Sequence, residues 1–260
     1  MFRSTAGTLP TEATPTVGGV PLPKGRVVTA TEADHPGPVA WITEDILEVE
    51  QLQSLVRKLA AAFPQTGLWP VRARGLDDDD LARPWLDGEF TGPDDRTIEA
   101  LTVLTAQAVA DEEPDYPDTD PDSTEPDPVT ALAAPIPGPD LTAEQIEIDH
   151  PGGLLLVPVA RPADVPAALG WIGATNSELR GAELTAVLRS WEDRFGAVLI
   201  GLGFDTMTVQ LSRLPQGADE IQAILGEHYA FCADNIDQGL PADQYAEGLS
   251  EWLHWDFWWD

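Results

Sequence analysis

The stretch Glu227-His228-Tyr229-Ala230-Phe231-Cys232-Ala233-Asp234-Asn235 gathers more reactive side chains than any other part of the chain. On a helix, His228 and Cys232 lie four residues apart and share a face. A thiol and an imidazole so placed, with Glu227 beside them, could act as nucleophile and base or supply two metal ligands. Cys232 also falls on the apolar stripe set by Ile221, Ile224, Leu225 and Tyr229, where a lone cysteine behaves as a small hydrophobe. Spacing alone leaves nucleophile, ligand and core residue open. Cys232 is the single cysteine, so a structural zinc would need His228, His254 and distant carboxylates. No metal or other cofactor is expected.

A second candidate is Gly170-Trp171-Ile172-Gly173-Ala174-Thr175-Asn176, a glycine-bounded loop carrying an aromatic and an amide. Such loops line pockets, although turn formation explains the same residues. Trp171, Asn176, Asp234 and Asn235 are the binding candidates. Other motifs fail on inspection. Gly201 and Gly203 lack the third glycine and the following helix of a dinucleotide fingerprint. Asp77–Asp80 lacks the interleaved glycine and bidentate glutamate of a calcium loop. His254 sits between Trp252 and Trp255, where an imidazole packs on aromatics. Asp256 and Asp260 are placed to pair with arginines such as Arg189 and Arg194.

The elements that position these residues follow from periodicity. Leu52, Leu55, Val56, Leu59 and Phe63 define an amphipathic helix from Glu44 to Phe63, stopped by Pro64. Val39–Ile42 and Gly67–Val71 suit strands around it, and a second helix is expected from Asp95 to about Val109. Further on, Leu154–Val159 reads as a buried strand. Leu184, Val187, Leu188, Trp191 and Phe195 mark a helix ended by Gly196. Ala197–Gly203 and Thr206–Leu211 are joined closely enough for an antiparallel hairpin. Helices bearing Ile221–Cys232 and spanning Ala242–Leu253 complete the pattern. Four of the nine tryptophans lie in the last nine residues, so the C-terminus is expected to pack, in extended form. The two halves echo each other: Trp41-Ile42, a helix and Phe63 precede one strand; Trp171-Ile172, a helix and Phe195 precede another.

Composition sets the organisation. The 260 residues carry 45 acidic against 14 basic side chains, a net charge of −31. Thirteen of the carboxylates fall between Asp111 and Asp149, with eight prolines and no Lys or Arg. That composition predicts a solvated, acidic Pro-rich linker, at least over 112–139. The reading is therefore α+β: a small antiparallel sheet flanked by helices, in two α/β halves. Residues 1–25 form a disordered arm, 26–110 an N-terminal subdomain, 111–149 the linker and 150–260 a C-terminal domain. The charge repels nucleic acid and anionic membranes and attracts a basic protein partner. An Arg-over-Lys, GC-rich host composition also accounts for much of it. No stretch has the length of a signal peptide or a membrane span, so a cytoplasmic protein is expected.

The stretch Trp171–Asp260 resembles the C-terminal domain of a largely actinobacterial family known as domain of unknown function 4253. The residues that carry this are Leu188-Arg189-Ser190-Trp191-Glu192-Asp193-Arg194-Phe195-Gly196-Ala197, Glu227-His228 to Phe231-Cys232 with Asp234-Asn235, Tyr245-Ala246, and Trp255-Asp256-Phe257-Trp258-Trp259-Asp260. Thr66–Pro70 is similar to an upstream element of the family. Ala233 stands where the family more usually has proline, which bears only on how the helix ends. The resemblance brings no activity with it. The expected function is a binding or regulatory protein with a protein partner engaged through an acidic surface, an immunity-type protein being one specific form. The alternative is a hydrolase-like enzyme with its site near Glu227, His228 and Cys232. Oligomeric state is not readable from the sequence.

Overall fold

The computed structural model describes residues 1–34, 36–77, 80–110 and 126–260. Helix α1 (Val49–Thr66) buries Leu52, Leu55, Val56, Leu59, Ala60 and Phe63, the three- and four-residue spacing read from the sequence. It runs past Pro64 by two residues, because a proline so near the C-terminus removes only one late backbone bond. Gly67 then ends it in the left-handed region, φ +63°, with its N–H on the Phe63 carbonyl at 2.9 Å. A Cβ on Gly67 would overlap the Thr5 carbonyl, since the N-terminal backbone runs directly over this turn.

That contact corrects the expectation of a disordered arm over residues 1–25. Gly7 donates to the Gly67 carbonyl at 2.9 Å, and Ser4 to that of Ala160 at 2.9 Å. The Phe2 ring lies 4.8 Å from Trp69, and Arg3 pairs with both Glu192 and Asp193. Strands β1 (Thr16–Val17) and β2 (Val20–Pro21) form a small antiparallel hairpin that buries Val17 and Val20. Thr, Pro and Gly content hid an arm anchored by a few specific side chains.

The main sheet contains β3 (Gly25–Ala30), β4 (Gly37–Thr43), β5 (Leu68–Ala73), β6 (Gly153–Pro158), β7 (Val198–Leu202), β8 (Thr206–Gln210) and β9 (His254–Trp258). Their order is β3-β4-β6-β5-β7-β8-β9. Every neighbouring pair is antiparallel except β5 and β7, joined in parallel at Arg72–Gly201 and Ala73–Leu202. Beyond that short pairing, the indole of Trp69 donates to the Leu199 carbonyl at 2.8 Å. The class is α+β, with a mixed seven-stranded sheet beside the small hairpin. β6 is inserted between β4 and β5, so the two expected halves share one sheet and do not stand apart.

Helices α2 (Ala100–Ala110), α3 (Val165–Leu169), α4 (Gly181–Phe195), α5 (Ala218–Phe231) and α6 (Ala242–Leu249) complete the body. The echo between halves corresponds to α1–Gly67–β5 and α4–Gly196–β7, with Gly196 also left-handed at φ +65°. Trp41 lies within β4, whereas Trp171 makes a lone bridge with Phe90. On one face of the sheet, Trp255 and Phe257 of β9 pack on Trp191 of α4, with ring centroids 5.5 and 5.3 Å apart. On the other, Gln210 of β8 accepts from Glu147 N and donates to the Gln145 carbonyl, each at 2.9 Å. Arg57 and Gln53 of α1 bond Ile146 and Ile148 in turn.

Part of the expected linker, from residue 126 on, packs against the body. Residues 112–125 lie outside the described residues. From 126 to 139 the chain has no helix or strand, yet Val129 and Ala133 are buried. Ile136 N donates to the Arg194 carbonyl at 3.0 Å. Further along, Ile146 and Ile148 are buried as well. A few apolar anchors with satisfied backbone groups hold this half of the segment against the body, which average composition does not reveal. None of the helices among the described residues is long and apolar enough to cross a membrane.

Deleting Met1–Gly7 is expected to lower stability by roughly 2–4 kcal/mol, the scale of one aromatic burial plus charged hydrogen bonds. Urea unfolding of the truncated chain measures this, and an unchanged midpoint would mean the arm contributes nothing.

Candidate functional site

Glu227, on α5, is fully buried. Its carboxylate accepts from Arg194 Nη1 at 2.8 Å and Nη2 at 2.6 Å, Trp191 Nε1 at 2.8 Å and Ala133 N at 2.6 Å. Four donors on two oxygens tie this carboxylate into the packing of the body. His228 lies among aromatic rings, 4.3 Å from Trp255 and 5.0 Å from both Trp191 and Phe257. Its Nδ1 meets the Tyr245 hydroxyl at 3.0 Å. Burial, with the Arg194 charge adding to it, depresses the imidazole pKa to about 3. The ring is neutral at physiological pH.

Cys232 is buried at the end of α5 and donates its thiol proton to the Trp258 carbonyl at 2.9 Å, with Asn235 Oδ1 at 3.5 Å. Burial pushes the thiol pKa up to about 12. Nucleophilic cysteines need the opposite shift, and neither thiol contact is to His228. The spacing that puts the two on one helical face does not pair them. Among the described residues, no three His, Cys, Asp or Glu side chains converge as metal ligands would.

The four binding candidates are brought together, but around the chain's own C-terminal strand. Trp171 is buried with its indole N–H on the Gly203 carbonyl at 2.9 Å, and its ring lies 5.6 Å from Trp259. Asn176 donates to the Asp260 carbonyl at 2.7 Å, and Asp234 accepts from Asp260 N at 3.1 Å. Asn235 donates to the Asp256 carbonyl at 2.7 Å and accepts from Trp258 N at 3.2 Å. A side-chain amide has the same donor and acceptor as a peptide group. Asn235 thus stands in for the next strand along the outer edge of β9.

An open cleft of about 750 Å³ adjoins this edge, and its lining includes Asn235 together with His254, Asp256, Phe257 and Trp258 of β9. Its floor is a row in register across four strands: Arg72 of β5, Gly201 of β7, Thr208 of β8 and Asp256 of β9. Gly201 has no side chain to fill the middle of that row. Thr208 Oγ1 donates to Asp256 Oδ1 at 2.6 Å, and Arg72 Nε to the Pro151 carbonyl at 2.9 Å. Residues 147–152 form one wall, and Gly75, Asp80 and Leu81 another. At the β9 end, His254, Asp256 and Trp258 alternate onto the cleft face, while Trp255 and Phe257 are buried behind it. The volume falls in the range of ligand sites. Of the sequence candidates only Asn235 lines this cleft; the rest of it was missed because its floor unites residues 72, 201, 208 and 256. The one local signal was the period-two alternation of the tail.

Two expectations follow for the buried cluster. Cys232 should label slowly with a maleimide in the folded protein and rapidly once unfolded. Cys232→Ala should cost roughly 1–2 kcal/mol; fast native labelling lost in His228→Gln would contradict the packing seen here. The second concerns acid. Because the folded ring holds no proton until about pH 3 and an unfolded histidine takes one near 6.5, the unfolded chain binds more protons between them. Stability should therefore fall as pH drops through this window, by about 1.4 kcal/mol per pH unit from this group. Denaturant melts at pH 5.0, 5.5 and 6.0 should show a slope that is shallower in His228→Gln.

No curated protein and no solved structure matches this chain. Residues 153–260, from β6 through β9, match the model of a family described as Domain of unknown function (DUF4253).

Proposed function

We propose that this chain is a non-catalytic binding protein that engages a protein partner through the open cleft and its acidic surroundings, as a regulatory or immunity-type protein would. The observation that carries this reading is the division of labour across the sheet. Thiol, imidazole and buried carboxylate are all occupied in packing on one face, while the other presents a roomy, solvent-open cleft of mixed polar and apolar lining. A hydrolase built on Cys232 would need a lowered thiol pKa and a base in contact, and neither accompanies it. The net charge of −31 favours long-range attraction of a basic partner and disfavours nucleic acid and anionic membranes. A lone cysteine suits a reducing, cytoplasmic setting, and the Arg-over-Lys composition is in keeping with an actinobacterial host.

A photo-crosslinking residue placed at Thr206, in the cleft, tests the reading inside producing cells. It should yield one discrete protein adduct that is absent when the same residue replaces the exposed Glu12. Equal adducts from both positions, or none from Thr206, would overturn it.

A further inference from the structure

We infer that the β9 end of the cleft is a socket for a basic side chain, an arginine guanidinium or lysine ammonium of the partner. This rests on the binding-protein reading and gives it a chemistry. His254, Asp256 and Trp258 alternate along β9 and face the cleft together, at a spacing of roughly 7 Å between successive members. A carboxylate and an indole face both recognise a cationic N–H donor. Asp256 is exposed, and Thr208 orients it by a 2.6 Å hydrogen bond to Oδ1, leaving Oδ2 to the solvent side. Trp258 is 38% exposed, an indole in solvent two residues from that carboxylate, where a ring face attracts a cation. His254 Nε2 is a buried atom with no hydrogen-bond partner among the described residues, so this ring borders the socket and the contacts to the cation fall to Asp256 and Trp258.

The surrounding charge agrees in sign. Glu147, Asp149 and Asp80 join Asp256 in the cleft lining. The arginines are at the far end: Arg72 lies on β5, three strands from Asp256, roughly 14 Å at ordinary strand spacing. Its Nε is turned to the Pro151 carbonyl. An incoming cation therefore meets carboxylates and an indole first, and the arginines stand outside contact range. An anionic ligand entering at β9 would meet these carboxylates before reaching either arginine.

The test uses the full chain and a tetra-arginine peptide, titrated by calorimetry and tryptophan fluorescence, with tetra-citrulline and tetra-glutamate peptides as controls. Saturable binding of tetra-arginine alone is expected, weakened at least tenfold in Asp256→Asn and in Trp258→Ala. Neutralising exposed carboxylates elsewhere, as in Glu12→Gln or Asp243→Asn, should change it less than twofold. Equal weakening by all four substitutions would mean diffuse attraction to an acidic protein and would overturn the socket. So would binding of citrulline as tight as that of arginine. A Thr206 adduct without arginine binding would remove the socket and leave the binding-protein reading intact. Arginine binding without any adduct would leave the socket and remove the protein partner.

Discussion

The ion pair between Arg194 and Glu227 is the interaction on which the C-terminal body depends. It is bidentate, 2.6 and 2.8 Å long, and buried at the contact of α4 and α5. Ion pairs in such places are not in themselves strongly stabilising, because two charges must leave water. Removing one partner is another matter, since the survivor is a buried charge without a counterion, at a cost of about 3–5 kcal/mol. The same carboxylate holds the Trp191 indole and the Ala133 backbone, and Arg194 Nη1 also donates to the Ala133 carbonyl at 2.9 Å. One pair thereby fixes two helices, the central tryptophan of the aromatic cluster and an otherwise irregular acidic segment.

Trp191 then sets the position of β9. Its ring is stacked on Phe257 and set edge-on to Trp255 and Phe231. With β9 held from behind by these rings and along its edge by Asn235 and Cys232, the alternate residues of the strand have no choice but to face the cleft. The cluster that resembled a catalytic site and the cleft that can hold a ligand are two sides of one strand. Packing behind the sheet determines the chemistry presented in front of it.

What was legible in the sequence followed the range of the interactions involved. Periods of 3.6 residues marked α1, α4 and α5, and Gly196 was visible as the end of α4, whereas Gly67 read as the start of a strand and Pro64 as the stop. The β7–β8 hairpin and the extended, half-packed tail are also local patterns. The placement of β6 between β4 and β5 is not, because those strands come from either side of the acidic segment and no turn dictates their register. Composition misled at the N-terminal arm and over residues 126–149, where Phe2, Arg3, Val129 and Ala133 outweigh dozens of polar neighbours. The candidate residues near Asn235 were singled out for the right property, hydrogen-bonding capacity beside aromatics, but a ligand and a strand backbone offer the same peptide-like groups to such residues. Only the fold decides between them.

The central position of β6 has a consequence for how the chain can fold. A segment holding residues 26–110 possesses β4 and β5 but not the strand that joins them, so each presents an unpaired edge rich in Trp, Ile, Leu and Val. During synthesis these edges must wait until more than forty further residues, most of the acidic stretch among them, have emerged. Densely charged, proline-rich chain is poorly suited to pair with a waiting strand. The stretch made before β6 thus offers the early strands little that could take its place.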